Sequence, residues 1–491
     1  MTTSTTDTAP LLIGGELRHA ASGATFDVLN PATEEVIGAA ADATAEDMDA
    51  AIAAARTAFD TTDWSTDHAF RARCLRQLRD ALQSHIEELR ALTIAEVGAP
   101  HMFTTGPQLE GPVADLGWLA DLVESYEWTE DLGESEIMGV RSHRTTRREA
   151  TGVVGAITPW NFPNQINLAK IGPALAAGCT VVLKPAPDTP LIAAAVARIA
   201  AEETDIPAGV LNVVSSSDHG VGAQLTTDPR VDLISFTGST ATGKKIMASA
   251  ADSLKKVFLE LGGKSASVVL DDADLGTACF MTALNTCTHA GQGCALTTRL
   301  LVPREKYAEA VESAKGAMAS FAPTDPNDPG AFCGPVISAA QRERIEGYIA
   351  LAAREGGTIE IGGGRPTGEG FDRGFWVEPT LISGLDNSAR VAQEEIFGPV
   401  LVIIPHDGDE DAIRIANDSP YGLSGAVWGT DPERVEKVVS GIRTGTLGVN
   451  GGQWYGADVP FGGYKQSGIG REMGRAGFEE YLEIKSVATP A

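Results

Sequence analysis

The chain is short of positive charge: 38 Lys and Arg stand against 66 Asp and Glu, a formal net charge of -28 in 491 residues. Such a surface repels phosphate backbones and anionic membranes, so neither nucleic acid nor a membrane is an expected partner. Cysteine is sparse. The six, at 74, 179, 279, 287, 294 and 333, form no CxxC pair, which removes zinc-ribbon spacing and a dense disulfide framework and fits reduced thiols in a cytoplasm. No metal site is expected. Apolar runs long enough to cross a bilayer are missing, and the polar start MTTSTTDTAPLLIGG lacks a basic stretch followed by an apolar one, so no export is expected. There is no internal repeat, and no low-complexity tract beyond Ala-rich helical segments. What is present is ordinary globular composition, 43% hydrophobic and 21% charged, enough for two or three domains.

From Thr44 to Ala99 the pattern is helical. Thr44 caps a helix carrying Met48, Ile52 and Phe59, and a second run spans His68 to Val97 before Gly98 and Pro100 stop it. Between Glu127 and Glu149 the segment GVRSHRTTRREA alternates without an apolar face, as an exposed strand seeking a partner does. From Thr151 short apolar runs alternate with helical ones: TGVVGAITPW, TVVLKPA, GVLNVVSS and VDLISFTGS each lead into a helix, the pattern of a doubly wound parallel sheet. A second α/β region has strands at SASVVL, RLLVP, VLVIIP and SGAVWG, with the boundary expected near Gly262 and Gly263.

Four chemical signals stand out. The turn FTGSTATG, with Gly238 and Ser239, follows a strand and opens a helix, where backbone N–H groups and the helix dipole hold a diphosphate; it also reads as a plain tight turn. Lys184, just past TVVL, falls at the carboxyl edge of the same sheet. Cys294 sits in GQGC, where small neighbours leave its thiol approachable, whereas Cys179, Cys279, Cys287 and Cys333 lie in apolar surroundings typical of inert cysteines. His289 nearby would suit a Cys-His hydrolase. Glu260, in ELGGK, ends the strand KVFLE as a general base or a salt-bridged strand end. Asn161, in PWNFP, is set by flanking prolines that stiffen its turn.

In this order PWNFP, KPA, FTGS, ELGGK, GQGC, EEIFGPV and PFGGYKQSGIGRE resemble the aldehyde dehydrogenase superfamily, from about Gly14 to the C-terminus. The resemblance implies an α/β fold with a doubly wound cofactor domain (1–127 and 151–262), a second α/β catalytic domain (263–465), and a small β oligomerisation arm and tail (128–150 and 466–491). It implies an NAD(P)-dependent oxidation of an aldehyde to the acid. Cys294 attacks as a thiolate, Asn161 and the Cys294 N–H hold the oxyanion, and Glu260 activates the water that hydrolyses the thioester. Lys184, Gly238, Ser239, Glu395, Phe397 and Trp160 are implied at the cofactor, and Lys170 with Glu472 in a proton relay. Phe162, Ile166, Ala169, Trp454, Tyr455 and Phe461 are implied along the aldehyde tunnel, an apolar lining that favours medium-chain, terpenoid or aromatic aldehydes.

The family pattern breaks at Pro187, where NAD-preferring relatives often carry a carboxylate. Its loss weakens discrimination against NADP. The sequence leaves open whether Asp188 replaces it; NAD is expected as the main cofactor, with NADP tolerated. Two other readings are carried: a CoA-acylating dehydrogenase, against which Glu260 argues, and a non-enzymatic structural protein, against which the intact Cys294, Glu260 and Asn161 argue. A homodimer or homotetramer in the cytoplasm is expected.

Overall fold

The computed structural model describes residues 8–491. Five strands, Val153–Ile157, Thr180–Lys184, Leu211–Val213, Leu233–Thr237 and Lys256–Glu260, form the parallel centre of an eight-stranded sheet. Their near-continuous burial explains the unbroken Val, Ile and Leu runs, since helices cover both faces of such a sheet. The helices obey local signals. Pro163–Ala177 and Pro190–Glu203 begin with proline in the first turn, and Gly178 (φ 94°) ends the former in the left-handed conformation that glycine adopts without strain. At one edge of the sheet Leu11–Ile13 and Glu16–Arg18 add antiparallel strands; at the other Gly468–Ile469 pairs with Leu259 and Glu260.

A second, seven-stranded sheet runs in the order Thr358–Ile361, Thr380–Ser383, Val400–His406, Thr297–Pro303, Ser265–Val269, Gly425–Trp428, Gly448–Val449, parallel except for its first pair. The chain passes from one sheet to the other through Leu261–Lys264, so Glu260 ends a strand of the first and Ser265 begins a strand of the second. Both sheets have their own buried apolar clusters.

Thr129–Ile137, Val140–Ala150 and Leu482–Pro490 make a separate antiparallel sheet with a largely exposed surface, its register running from Leu482 opposite Ala150 to Pro490 opposite Ser142. Two expectations need correction. The helical run His68–Val97 breaks at His85, so two helices, His68–Ser84 and Ile86–Val97, replace one; the His85 ring bridges Glu88 (3.0 Å) and Glu203 (2.6 Å). The residues 466–481, expected with the tail, lie instead against the first sheet, through the Gly468–Ile469 pairing and a short helix, Gly474–Glu479, beside Pro163–Ala177. Only from Leu482 onward does the C-terminus join the arm. A hairpin, Thr25–Leu29 with Val36–Ala41, also forms where no strand was read.

Candidate active site

The carboxyl edge of the first sheet gathers most of the chemistry. Ile157 pairs with Lys184 and Thr237 with Glu260, so the loops bearing Trp160 and Asn161, the Lys184 side chain, the Gly238–Ser239 turn and Glu260 all leave the sheet on one side, where open α/β sheets bind ligands. Ser239 caps the helix Thr240–Ala250, its hydroxyl accepting from the Thr242 N–H at 3.2 Å. The Gly238 N–H donates to the Glu260 carbonyl at 3.0 Å and ties this turn to the neighbouring strand end.

Cys294 is presented by an unusual turn. Past the helix Leu275–Cys287, three successive residues are left-handed: His289 (φ 49°), Ala290 (φ 53°) and Gly291 (φ 72°). For His and Ala such angles cost on the order of 1 kcal/mol each and persist only where the surroundings fix them. Gln292, wholly buried, does so. Its Nε2 donates to the carbonyls of His289 (3.2 Å) and Pro335 (3.3 Å), its Oε1 accepts from the Ile337 N–H (2.9 Å), and its own carbonyl accepts from the Asn161 side-chain amide (2.8 Å). The amide of Asn161 thus uses one hydrogen to fix its direction and keeps the second. Gln108 Nε2 holds the Asn161 carbonyl at 2.9 Å. Reading GQGC as a turn of small residues gave Gln292 no role; a polar residue between two glycines was the only signal.

Cys294, Asn161, Glu260 and Glu472 line one cavity of about 300 Å³. It lies between the two sheets: Thr237 and Glu260 are the last residues of strands in the first, and Thr297, Gly425 and Gly448 the first residues of strands in the second. Phe162, Ile166, Trp454, Tyr455 and Phe461 share its wall, with Trp454 stacked on Phe461 at 5.6 Å. Ala169 does not. It faces a separate cavity of about 30 Å³ bordered by Gln165 and Tyr455, which line the larger space as well. Phe103, Met281, Leu296 and Trp428 belong to the wall and come from segments that carry no motif. Among the described residues the only charged side chains on the lining are Glu260 and Glu472.

Neither carboxylate oxygen of Glu260 has a hydrogen-bond partner, although the side chain is buried. Burial, and then the nearby Glu472, push its carboxyl well above the usual range, with Lys170 and Arg471 pulling the other way. Burial and the carboxylates of Glu260, Glu395 and Glu472 raise the Cys294 thiol in the same manner. Lys170 meets Glu472 at 2.9 Å in an enclosed ion pair. His289 is enclosed too: its ring packs edge-on against Phe162 at 5.4 Å, burial lowers its pKa to about 4, and it is absent from the cavity wall that carries Cys294.

The residues expected at the cofactor are arranged on the same side of the first sheet. Burial lowers Lys184 to about 8 while its Nζ donates to the carbonyls of Pro185 (3.2 Å) and Ser216 (3.1 Å). Glu395 accepts from the Gly263 N–H at 2.9 Å, and burial raises it to about 6. Phe397, left-handed at φ 64°, packs edge-on against Trp160 at 5.4 Å. A helix opening at a strand end, a buried lysine beside it and a carboxylate held near the thiol fit a dinucleotide.

The aldehyde dehydrogenase family model matches residues 18–487. Geranial dehydrogenase of Castellaniella defragrans is 41% identical, over 98% of this chain and 99% of its own length. The 3-succinoylsemialdehyde-pyridine dehydrogenase of Pseudomonas sp is 43% identical over 94% of each. Among solved structures, the Mycobacterium tuberculosis aldehyde dehydrogenase complexed with NAD+ superposes with a TM-score of 0.94 at 43% identity, covering 99% of both chains.

Proposed function

The chain belongs to the aldehyde dehydrogenase family as an NAD-dependent, aldehyde-oxidising oxidoreductase, and from that premise we propose that it converts apolar aldehydes to free carboxylic acids through a thioester on Cys294. One observation carries this reading: the thiol of Cys294, the amide of Asn161 and the unpartnered carboxylate of Glu260 share a single enclosed wall. NAD, when bound, supplies the hydride acceptor. The protein's own groups do the rest. Cys294 adds to the carbonyl, and the free hydrogen of the Asn161 amide, with the Cys294 N–H, meets the negative oxygen that develops. Both Glu260 oxygens are free of protein donors on the cavity wall, and its raised basicity suits it to take a proton from the water that attacks the thioester. Lys184, Gly238, Ser239, Glu395, Phe397 and Trp160 hold the dinucleotide, and the Lys170–Glu472 pair exchanges protons with the Glu260 end of the cavity.

The substrate class follows from the wall. A lining that is largely apolar, with uncharged polar groups such as Gln165, Asn285 and Gln453 but no lysine or arginine among the described residues, offers a distal carboxylate no cation to pair with, and two relatives are named for geranial and for a pyridine-bearing semialdehyde. Measured with NAD, kcat/KM for geranial, octanal or benzaldehyde exceeds that for succinate semialdehyde by about tenfold or more. Faster turnover of the semialdehyde refutes the assignment. Release of free acid without added CoA separates this reading from an acylating one. The exposed arm sheet, with Ile137, Met138 and Val140 at its tip, makes the protein a homo-oligomer, and a monomer by light scattering at micromolar concentration contradicts that.

A further inference from the structure

Lys170 is fully enclosed, and a buried ammonium needs an acceptor for each hydrogen or a compensating π face. Its Nζ reaches Glu472 Oε1 at 2.9 Å and the Ser235 hydroxyl at 3.2 Å, and lies 5.0 Å from the centre of the Phe258 ring. Ser235, in the middle of the strand Leu233–Thr237, sits 3.0 Å from the Tyr481 hydroxyl. Tyr481 immediately precedes Leu482–Pro490, the strand that completes the arm, and its carbonyl accepts from the Thr151 N–H (3.0 Å) and the Cys179 thiol (3.4 Å). A row of hydrogen bonds therefore runs from the root of the arm to the cavity wall.

We propose that Ser235 and Tyr481 are positioning residues whose paired hydroxyls hold the Lys170 ammonium against Glu472, coupling the root of the arm strand to thioester hydrolysis. The proposal rests on Glu260 being the general base. Without the Ser235 oxygen, one Lys170 hydrogen faces no acceptor and the ammonium is no longer fixed against Glu472. Glu260 then faces Glu472 with a less well placed Lys170 charge, beside Arg471, to offset it. Glu472, Glu480 and Cys179 bear on the Tyr481 hydroxyl; of the cations around it, Lys170, Lys256 on the Leu482 carbonyl (2.7 Å) and Arg71 beside Cys179, only Lys170 also acts on Glu260, so the other two do not take its place. Glu260 becomes harder to ionise, and its basic form is lost at a higher pH.

The test uses the full-length enzyme with NAD and its best aldehyde. In Tyr481→Phe and Ser235→Ala, kcat falls about three- to tenfold, the size of one hydrogen bond, while KM stays within about twofold. The first-turnover burst of NADH keeps its amplitude, because hydride transfer precedes hydrolysis, and the acid limb of kcat moves to higher pH. Ser235→Thr restores both rate and limb. On a Lys170→Met background neither substitution lowers kcat further. Wild-type kcat and acid limb in both variants, or losses that simply add to that of Lys170→Met, overturn the proposal. A wild-type enzyme that releases no free acid without CoA overturns the Glu260 reading itself, and is recognised before any variant is made.

Discussion

The two parallel sheets meet the cavity with opposite ends. The first offers its carboxyl ends, with Thr237 and Glu260 on the last residues of two strands and Asn161 on the loop past a third; the second offers its amino ends, where Thr297, Gly425 and Gly448 begin their strands. The carboxyl ends carry groups that manage charge, and the amino ends carry small residues and walls. Cys294 belongs to neither, standing on the turn that enters the second sheet. The difference teaches that charge handling and shape are supplied from separate cores and can be altered separately.

The largest expected effect falls on the turn between them. Cys294→Ala abolishes NADH formation in the presence of aldehyde while NAD still quenches or shifts the intrinsic Trp fluorescence; turnover within tenfold of wild type removes the mechanism. Next comes the first sheet. Glu260→Gln lowers steady-state kcat by ~10²–10⁴-fold, yet leaves a burst of NADH in rapid mixing; a variant that loses the burst and steady state together shows Glu260 acting before hydrolysis. Asn161→Ala costs ~10²–10³-fold in kcat, in keeping with one oxyanion donor, with KM little changed.

The acid–base behaviour sharpens the same contrast. Glu260 and Cys294 are both raised above their ordinary values, and each works in its deprotonated form, so kcat/KM, through attack by the thiol, and kcat, through hydrolysis, climb as pH rises through the neutral range and fall on acidification. A profile flat from weakly acid to weakly alkaline pH contradicts those environments. The smallest effect is expected at the nucleotide. Asp188 is close enough to Lys184 for each to shift the other's titration, which makes it the carboxylate to test beside Pro187. Asp188→Ala narrows the NAD over NADP preference in kcat/KM by a few-fold, about 1 kcal/mol of lost discrimination; an unchanged ratio assigns the preference elsewhere.

Motif-bearing residues were legible because their chemistry needs local chain geometry. FTGS must turn sharply after a strand, and ELGGK must cross from one core to the next without side chains. What stayed hidden depends on distant partners. Gln292 earns its importance from Pro335, Ile337 and Asn161, none of them near in sequence. The cavity walls Phe103, Met281 and Trp428 come from three separate helices and strands whose apolar residues look like any core. Ala169 lies on the same helix face as Ile166 yet opens on a different space, because it sits one turn further along the axis, where Gln165 and Tyr455 border both cavities. Gly468–Ile469 pairs with Leu259 and Glu260 across some two hundred residues, a register no local pattern announces.

A single glutamine anchors both the strained turn and the amide that faces it. The attacking sulfur and the donor that greets the new oxyanion are therefore parts of one rigid piece. When heat or a substitution loosens Gln292, attack and charge stabilisation decline in step, and the enzyme passes from active to inert without a stage at which it adds to aldehydes and fails to stabilise what it has made.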